Sequence, residues 1–244
     1  MRQHALSYPT DIAPSRRSLL LFACSAACLR LSNNIVDAKE TKAPPKPDNL
    51  LSPDAALNRL MEGNNRYVQG ASRGGDFKRE RQVLVDGQNP YAAVLSCADS
   101  RVAPELVFDS GLGDLFVCRL AGNFANHDTL ASMEYAVAAL NAPLILVLGH
   151  NHCGAIDATI KSLHDGKPPS GHISSLVAAL APAVKGSLQQ SGDTFADATR
   201  QNVMDNVNKL RSTGPILNAA VEQSRLKVVG GLYRLDTGRV DLLS

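Results

Sequence analysis

The chain has 244 residues, of which 44% are apolar and 20% charged, a composition that is ordinary for a globular protein and sufficient for one large domain. It contains no run of about 18 apolar residues, so we expect no transmembrane segment. Residues 1–38 hold four Arg and two Asp, which leaves 21 basic and 21 acidic side chains in the rest. This balance argues against a nucleic-acid partner.

Residues 1–38 are typical of a signal peptide. Ser15-Arg16-Arg17-Ser18-Leu19-Leu20 fits the twin-arginine pattern, and residues 19–29 supply a short apolar core. We therefore expect cleavage after Ala38 and a bacterial protein that is periplasmic or otherwise exported. The alternatives are a disordered tail with a chance Arg pair, and lipidation at Cys24 or Cys28, neither of which follows a good lipobox.

Residues 39–51 contain three prolines and predict a stiff, solvated linker to a single domain over residues 52–244. Ser52-Pro53-Asp54 is a helix start signal, and we expect the helix that follows to end at Gly63. Phe77–Val85 predicts a second helix or an extended arm.

Four apolar runs predict buried strands: Ala92–Ser96, Leu115–Arg119, Leu144–Gly149 and Leu226–Tyr233. Helical patterns lie between and beside them, at Ala103–Phe108, Thr129–Leu140, Ala155–Leu163, Leu176–Gln190, Thr194–Ser212 and Ile216–Glu222. This alternation predicts an α/β domain whose mostly parallel β-sheet is flanked by helices.

Residues that carry chemistry follow two of these strands. Cys97 comes directly after the first strand, and His150 and Cys153 come at the end of the third, 53 residues further along. Parallel sheets place their sites beyond the carboxyl ends of their strands, so the two sets can meet in space. Two thiolates and an imidazole are a three-ligand set typical of zinc with a free fourth position.

Each of these residues also has a simpler interpretation. A His-x-x-Cys pair arises by chance, and a cysteine after a strand is often only buried. An odd, sparse set of five cysteines does not resemble a disulfide framework, which favours metal ligation or burial. Neighbouring positions of an extended chain point opposite ways, so we expect His152 to be solvated or close to the ligands rather than one of them.

Asp99 and Arg101 follow Cys97 on what we expect to be one turn. They could form an ordinary surface ion pair. Alternatively, Asp99 could bind the metal as its fourth ligand, or pair with Arg101 and leave room for water. An Arg–carboxylate pair has the fixed, bidentate geometry that would allow such a switch.

Together, Cys97-Ala-Asp99-Ser-Arg101 and His150-x-x-Cys153-Gly154 resemble the two signatures of the β-class carbonic anhydrases. The similarity extends over about residues 50–244. It includes Gly63-Asn64-x-Arg66, Arg119-x-Ala121-Gly122-Asn123, Glu134-Tyr135-Ala136 and the closing Gly230-Gly231-x-Tyr233-x-Leu235-x-Thr237-Gly238.

The resemblance implies one Zn2+ per subunit, held by Cys97, His150 and Cys153 with water or hydroxide as the fourth ligand. Zinc-bound hydroxide would attack carbon dioxide, and bicarbonate and a proton would leave in a reversible reaction. Asp99 would accept a hydrogen bond from the zinc-bound oxygen, and Arg101 would keep Asp99 off the metal.

The resemblance also implies a pocket for carbon dioxide and bicarbonate. Phe116 and Tyr135 would form its apolar wall, although on physical grounds alone either aromatic is more often simple core. Gly154 would offer a backbone amide and close approach. Gln88 would reach across a dimer interface, with an N-terminal helical arm for dimerisation in a homodimer or a dimer of dimers.

Two other functions stay open at this point. A relative could hydrolyse carbon disulfide or carbonyl sulfide on the same fold and metal. Alternatively, the chain could be a non-catalytic, zinc-containing, bicarbonate-binding module. The Asp99–Arg101 pair argues against such a module, because a structural zinc takes a fourth protein ligand and keeps no free position.

Overall fold

The computed structural model describes residues 51–189 and 192–243. The expected leader, with its cleavage position, and the linker up to residue 50 lie outside the described residues. Among the helices of the described ranges, none is long and apolar enough to cross a membrane.

A five-stranded sheet organises the domain, in the order β2-β1-β3-β4-β5. The first four strands are parallel, and the fifth pairs with β4 in the antiparallel sense. The strands are β1 (Ala92–Ser96), β2 (Leu115–Arg119), β3 (Leu144–His150), β4 (Lys227–Tyr233) and β5 (Val240–Leu243). The expected mostly parallel α/β fold is confirmed.

Eight helices are present in the described part of the chain. They are α1 (Pro53–Val68), α2 (Phe77–Val83), α3 (Pro104–Val107), α4 (His127–Ala138), α5 (Gly154–Asp165), α6 (Ile173–Ser187), α7 (Thr194–Ser212) and α8 (Ile216–Glu222). Four of them, α1, α2, α4 and α7, begin after a residue whose side chain accepts a hydrogen bond from an amide of the first turn. In α1, Ser52 accepts from the Ala55 amide.

Helices cover both faces of the sheet because its central strands are apolar on both. In β1, Ala93 and Leu95 pack into a cluster with residues of α4, α7 and α8. The alternate residues Ala92 and Val94 pack on the other face with residues of α1 and α3. This two-residue alternation in a fully buried strand is what a parallel sheet between two helical layers requires.

Two expectations from the sequence are wrong. Helix α1 does not end at Gly63 but continues to Val68, and Gly63 is needed inside it because a Cβ there would overlap the backbone carbonyl of Phe108. The absence of a side chain lets α1 approach α3 closely. The other error is the count of strands, because β5 was not expected; its four residues form the edge beside β4.

A buried amide fastens α1 to the end of the chain. Asn64, which is 2% exposed, donates from Nδ2 to the carbonyls of Val107 (3.0 Å) and Gly238 (2.8 Å). Its Oδ1 accepts from the Val240 amide at 2.9 Å. We call this group the Asn64 junction. All the hydrogen bonds it makes reach backbone far away in sequence, so it joins three separate segments.

Candidate metal centre

The carboxyl end of β1 is held in place by its neighbours. After Ser96 the ladder continues into the loop that follows β2, because the Leu120 amide donates to Ser96 O and the Ala98 amide donates to Leu120 O. Cys97 lies at this point and is 4% exposed. The chain then turns, with the Val102 amide donating to Asp99 O at 3.0 Å. The cysteine is therefore buried while the turn after it reaches the surface.

The carboxyl end of β3 is central in the sheet and fully buried. His150 is the last residue of the strand and 0% exposed, and the next amide, that of Asn151, donates to Tyr233 O. Asn151 Oδ1 accepts from the Leu235 amide at 2.9 Å, which ties this end to the segment after β4. The chain then takes a left-handed conformation at His152 (φ +54°) and places Cys153 at the start of α5.

These two strand ends bring three potential ligands together. The ligand atoms of Cys97, His150 and Cys153 lie within 4.8 Å of one another, and all three residues are buried. We call them the ligand cluster. In residues 51–189 and 192–243 no further Cys, His, Asp or Glu joins the group at that spacing. Two sulfurs and one imidazole nitrogen form the soft donor set that suits Zn2+.

The imidazole of His150 supports a metal site independently of its neighbours. Its Nδ1 lies 2.8 Å from Asn151 O, an acceptor, so in the neutral ring Nδ1 carries the proton. Nε2 is then left with its lone pair, and it is buried without a hydrogen-bond partner. A buried nitrogen of this kind is costly unless something binds it, and ligating histidines commonly bond a carbonyl through their other nitrogen.

The two thiols do not behave alike in the protein alone. The hydrogen bond from Cys153 lowers the pKa of Cys97 to about 4, with further contributions from His150 and the Gly122 amide, although burial opposes the shift. The same sulfur–sulfur contact raises the pKa of Cys153. The hydrogen bond between the two sulfurs therefore favours one thiolate in the pair, the form that binds metal.

Asp99 lies beside the ligand cluster but is bound by Arg101. The guanidinium donates from Nε to Oδ1 at 2.9 Å and from Nη2 to Oδ2 at 2.7 Å, and the Arg101 amide also donates to Oδ1. These hydrogen bonds hold the pKa of Asp99 well below its usual range. Oδ2 lies 3.9 Å from His150 Nε2. Of the arrangements left open by the sequence, the structure has Asp99 paired with Arg101 rather than joined to the ligand cluster.

Two arginines connect the strand ends to each other. Arg101 Nη2 donates to His152 O at 3.3 Å, so the turn after β1 is attached to the turn after β3. Arg119, at the end of β2, donates to Cys97 O at 3.1 Å and to Asp99 O at 2.7 Å. The sequence places Arg119 in a family motif, and the structure shows that it clamps the turn that carries Cys97 and Asp99.

The remaining predicted site residues are less enclosed in the single chain. The rings of Phe116 and Tyr135 are 6.2 Å apart and tilted by 41°, with Tyr135 52% exposed. Gly154 is the first residue of α5 and is exposed. A Cβ on it would meet nothing among the described residues, so the chain itself does not need glycine there. Gln88 is exposed on the segment between α2 and β1.

The sequence does not reveal how two neighbours of the cluster, Gly122 and Asn202, are connected to it. The Gly122 amide donates to Cys97 Sγ at 3.4 Å, and the side chain of Asn202 donates to Gly122 O at 2.8 Å. Asn206 bonds in turn to Asn202. The available signal is two asparagines four residues apart on a helix face that also carries Val203, Val207 and Leu210.

Comparison with known proteins agrees with these observations. A family model described as carbonic anhydrase matches residues 92–240. Carbonic anhydrase 2 of Mycobacterium tuberculosis is 38% identical over 192 residues, which cover 78% of this chain and 93% of the relative.

Solved structures agree with the fold. The β-carbonic anhydrase CcaA is 29% identical and superimposes with a TM-score of 0.59, over 77% of this chain and 91% of that one. A Coccomyxa β-carbonic anhydrase in complex with acetazolamide is 26% identical with a TM-score of 0.59, over 77% and 86% of the two chains. The resemblance inferred from the motifs is thus confirmed, and the chain belongs to the β-carbonic anhydrase family.

Proposed function

We propose that this protein is a zinc-dependent carbonic anhydrase, which converts carbon dioxide and water reversibly to bicarbonate and a proton. The observation that carries the proposal is the ligand cluster, three buried donors beside an aspartate that is bound by arginine instead of joining them. A site built only for structure would have a fourth protein ligand, whereas three ligands are typical of a catalytic zinc.

In this proposal Cys97, His150 and Cys153 hold the metal. Zinc bound there supplies Lewis-acid chemistry, which makes hydroxide available as a nucleophile near neutral pH. The low pKa of Cys97 favours the thiolate needed for binding. The bond from His150 Nδ1 to Asn151 O keeps Nε2 free as the donor nitrogen.

Asp99 has the role of an acceptor. Because Arg101 keeps its pKa low, the carboxyl stays ionised at neutral pH and has no proton to donate. Its Oδ2 lies near the ligand cluster and can accept a hydrogen bond from the attacking water, which orients the oxygen lone pair towards carbon dioxide. Arg101 fixes the carboxylate in that position through two hydrogen bonds.

Carbon dioxide is apolar, and the pair of rings of Phe116 and Tyr135 offers a surface suited to it. The backbone amide of Gly154, at the start of α5, would donate to a bicarbonate oxygen where a helix N-terminus favours negative charge.

Gln88 would complete this pocket from a second copy of the chain in a homodimer. Support comes from the arm α2, which has no buried side chain, and from Phe77, which is 61% exposed. Sedimentation equilibrium should show a dimer that Phe77→Ser weakens, and a monomeric wild type at assay concentration would contradict this part of the proposal.

The sequence pattern of residues 1–38 supports export through the twin-arginine route. Replacing Arg16 and Arg17 together by lysine should then leave the protein in the cytoplasmic fraction. Wild-type protein confined to the cytoplasm would contradict the proposal.

The test of the activity is stopped-flow hydration of carbon dioxide by the zinc-loaded protein, from about pH 6.5 to 9, with zinc content measured on the same samples. Cys153→Ser should lose both zinc and activity. Cys118→Ser is the matched control, because Cys118 is a free cysteine of β2 outside the ligand cluster and should keep both.

The same samples distinguish the other functions. Sulfide release from carbon disulfide or carbonyl sulfide, without hydration of carbon dioxide, would identify the hydrolase. A wild-type protein that binds one zinc and bicarbonate but catalyses neither reaction would be the non-catalytic module.

A further inference from the structure

Helix α7 carries two buried asparagines on its inner face. Asn202 is 3% exposed and Asn206 is 6% exposed, while Val203 and Leu210 on the same helix pack into the core at 0%. Burying an amide costs free energy unless its hydrogen bonds are replaced inside the protein. Two such amides one turn apart therefore need hydrogen-bond partners. The identity of those partners shows which part of the chain the asparagines position.

The partners belong to the loop between β2 and α4. The Ala125 amide donates to Asn206 Oδ1 at 2.7 Å, and Lys209 Nζ donates to Ala125 O at 2.5 Å. Asn206 Nδ2 donates to Asn202 Oδ1 at 3.1 Å, and Asn202 Nδ2 donates to Gly122 O at 2.8 Å. Helix α7 is thus bonded to this loop at Gly122 and at Ala125. The two asparagine side chains also bond to each other, so Asn206 fixes the orientation of the Asn202 amide.

The loop contacts the ligand cluster through the same glycine. The Gly122 amide donates to Cys97 Sγ at 3.4 Å, so its amide faces the metal ligand while its carbonyl faces Asn202. The residue has φ +88°, and a Cβ there would meet the Leu180 side chain at 2.7 Å. Glycine is required here, and glycine by itself does not hold one conformation. A bond to its carbonyl supplies the missing restraint.

We propose that Asn202, oriented by Asn206, is a positioning residue for Cys97. By holding the Gly122 carbonyl, it keeps the Gly122 amide directed at the sulfur and so sets how firmly this ligand retains its metal. The inference rests on the proposed zinc site. Its physical basis is that an N–H donor stabilises negative charge on a thiolate, and that groups bonded to a ligand adjust metal affinity.

The test replaces Asn202 by Leu, which has a similar volume and no hydrogen-bond donor. Thr199→Val is the matched control. Thr199 is equally buried on α7, but its hydroxyl bonds within the helix, to Phe195 O. Two quantities are measured on folded protein: the rate at which zinc passes to a chelator, and the sulfur-to-metal charge-transfer absorption of the Co2+-loaded form.

The leucine variant should release zinc about 10- to 100-fold faster than wild type. Its charge-transfer band should shift, because the Cys97 sulfur has lost an aligned donor. The valine variant should match wild type in both. Asn202→Ser keeps a hydroxyl at the buried position but is too short to reach the Gly122 carbonyl, so it decides the outcome if the leucine variant does not fold.

A purely structural asparagine would give a different result: less stable variants with wild-type zinc release and an unshifted Co2+ spectrum. That result would overturn the inference. It is also distinct from failure of the proposed function, in which wild-type protein itself would bind neither zinc nor Co2+ at Cys97, His150 and Cys153.

Discussion

The Asn64 junction and the ligand cluster both contain buried polar side chains. The two regions differ in whether those polar atoms have hydrogen-bond partners. Each polar atom of the Asn64 side chain has a backbone partner between 2.8 and 3.0 Å away. At the ligand cluster, His150 Nε2 is equally buried and has no partner among the described residues. Folded proteins satisfy nearly all buried polar atoms. Complete pairing at Asn64 therefore indicates a role in stability, whereas an unpaired imidazole nitrogen within 4.8 Å of two cysteine sulfurs indicates a metal-ligand site.

The largest effect is expected from a substitution at Asp99, which lies beside the ligand cluster but is not one of its three residues. In Asp99→Asn we expect the hydration rate of the zinc-loaded protein to fall about 100-fold, because the amide cannot replace a carboxylate acceptor held by Arg101. Zinc content should stay at the wild-type level, and stopped-flow assays on samples of known zinc content measure both.

Asp157→Asn is the control for that variant, because Asp157 lies in the first turn of α5 and forms only an exposed pair with Lys161. It should keep full activity. Activity of Asp99→Asn within twofold of wild type would show that the carboxylate is not needed for the reaction.

The next largest effect is expected at the Asn64 junction, and there it should be on stability alone. Asn64→Leu leaves the carbonyls of Val107 and Gly238 and the amide of Val240 unpaired, so we expect the free energy of unfolding to fall by about 3 kcal/mol. Urea unfolding measures this loss, and zinc content and the rate per bound zinc should not change.

Asn65→Leu, at the exposed neighbouring position of α1, should alter the free energy of unfolding by less than about 0.5 kcal/mol. If Asn64→Leu instead lost zinc while remaining folded, the separation between a stability region and a ligand region would be wrong.

The smallest effect is expected at Asp109, a paired carboxyl beside the Asn64 junction that takes no part in its hydrogen bonds. Burial alone would raise its pKa, but the hydrogen bond from Arg66 at 2.5 Å and that from the Arg73 amide outweigh it and keep the pKa low. A carboxyl whose pKa is lower in the folded state stabilises the fold above its unfolded pKa of about 4. That contribution disappears as the pH falls through the folded value.

Asp109→Asn should therefore flatten the decline of unfolding free energy with falling pH below about pH 4, measured by urea unfolding from about pH 6 to 3. Comparing the variant with wild type cancels the titrations that both share. Asp241→Asn, which breaks an exposed pair with Arg234, should leave the slope as it is. An unchanged slope in Asp109→Asn would mean that this pairing contributes nothing.

Much of the fold follows from short-range patterns in the sequence. Strands β1 and β2 and helices α7 and α8 have the bounds expected from their apolar periodicity. The interior glycine of α1 resembles a helix end in the sequence, because the reason for it, the nearby carbonyl of Phe108, is a contact across more than 40 residues. Strand β5 could not be predicted, because four residues at a sheet edge are too few to show a hydrophobic periodicity.

The candidate site likewise contains residues that the sequence predicts and residues whose role depends on tertiary contacts. Cys97, His150 and Cys153 could be found because soft donors directly follow apolar strands, and the topology then brings the strand ends together. Asn202 can be noticed in the sequence as a polar residue among apolar ones on a helix face, but its role cannot be predicted, because its partner is a backbone carbonyl 80 residues earlier in the chain. Positioning groups of this kind become visible only when the tertiary contacts are known.

The strand order β2-β1-β3 has a consequence for how such a site can change. From β1 the chain crosses by α3 on one face to reach β2, and it then returns by α4 on the other face to reach β3. The connection that leaves β1 leads to β2, whereas the connection that leaves its neighbour β3 leads to β4 on the other side. The adjacent carboxyl ends of β1 and β3 are therefore a topological switch point, where open sheets of this kind form a crevice. The ligand cluster lies on these strand ends, at the floor of such a crevice, while its walls would be loops and helix starts. Substitutions in the walls can therefore alter which small molecule enters, and leave the chemistry at the floor intact.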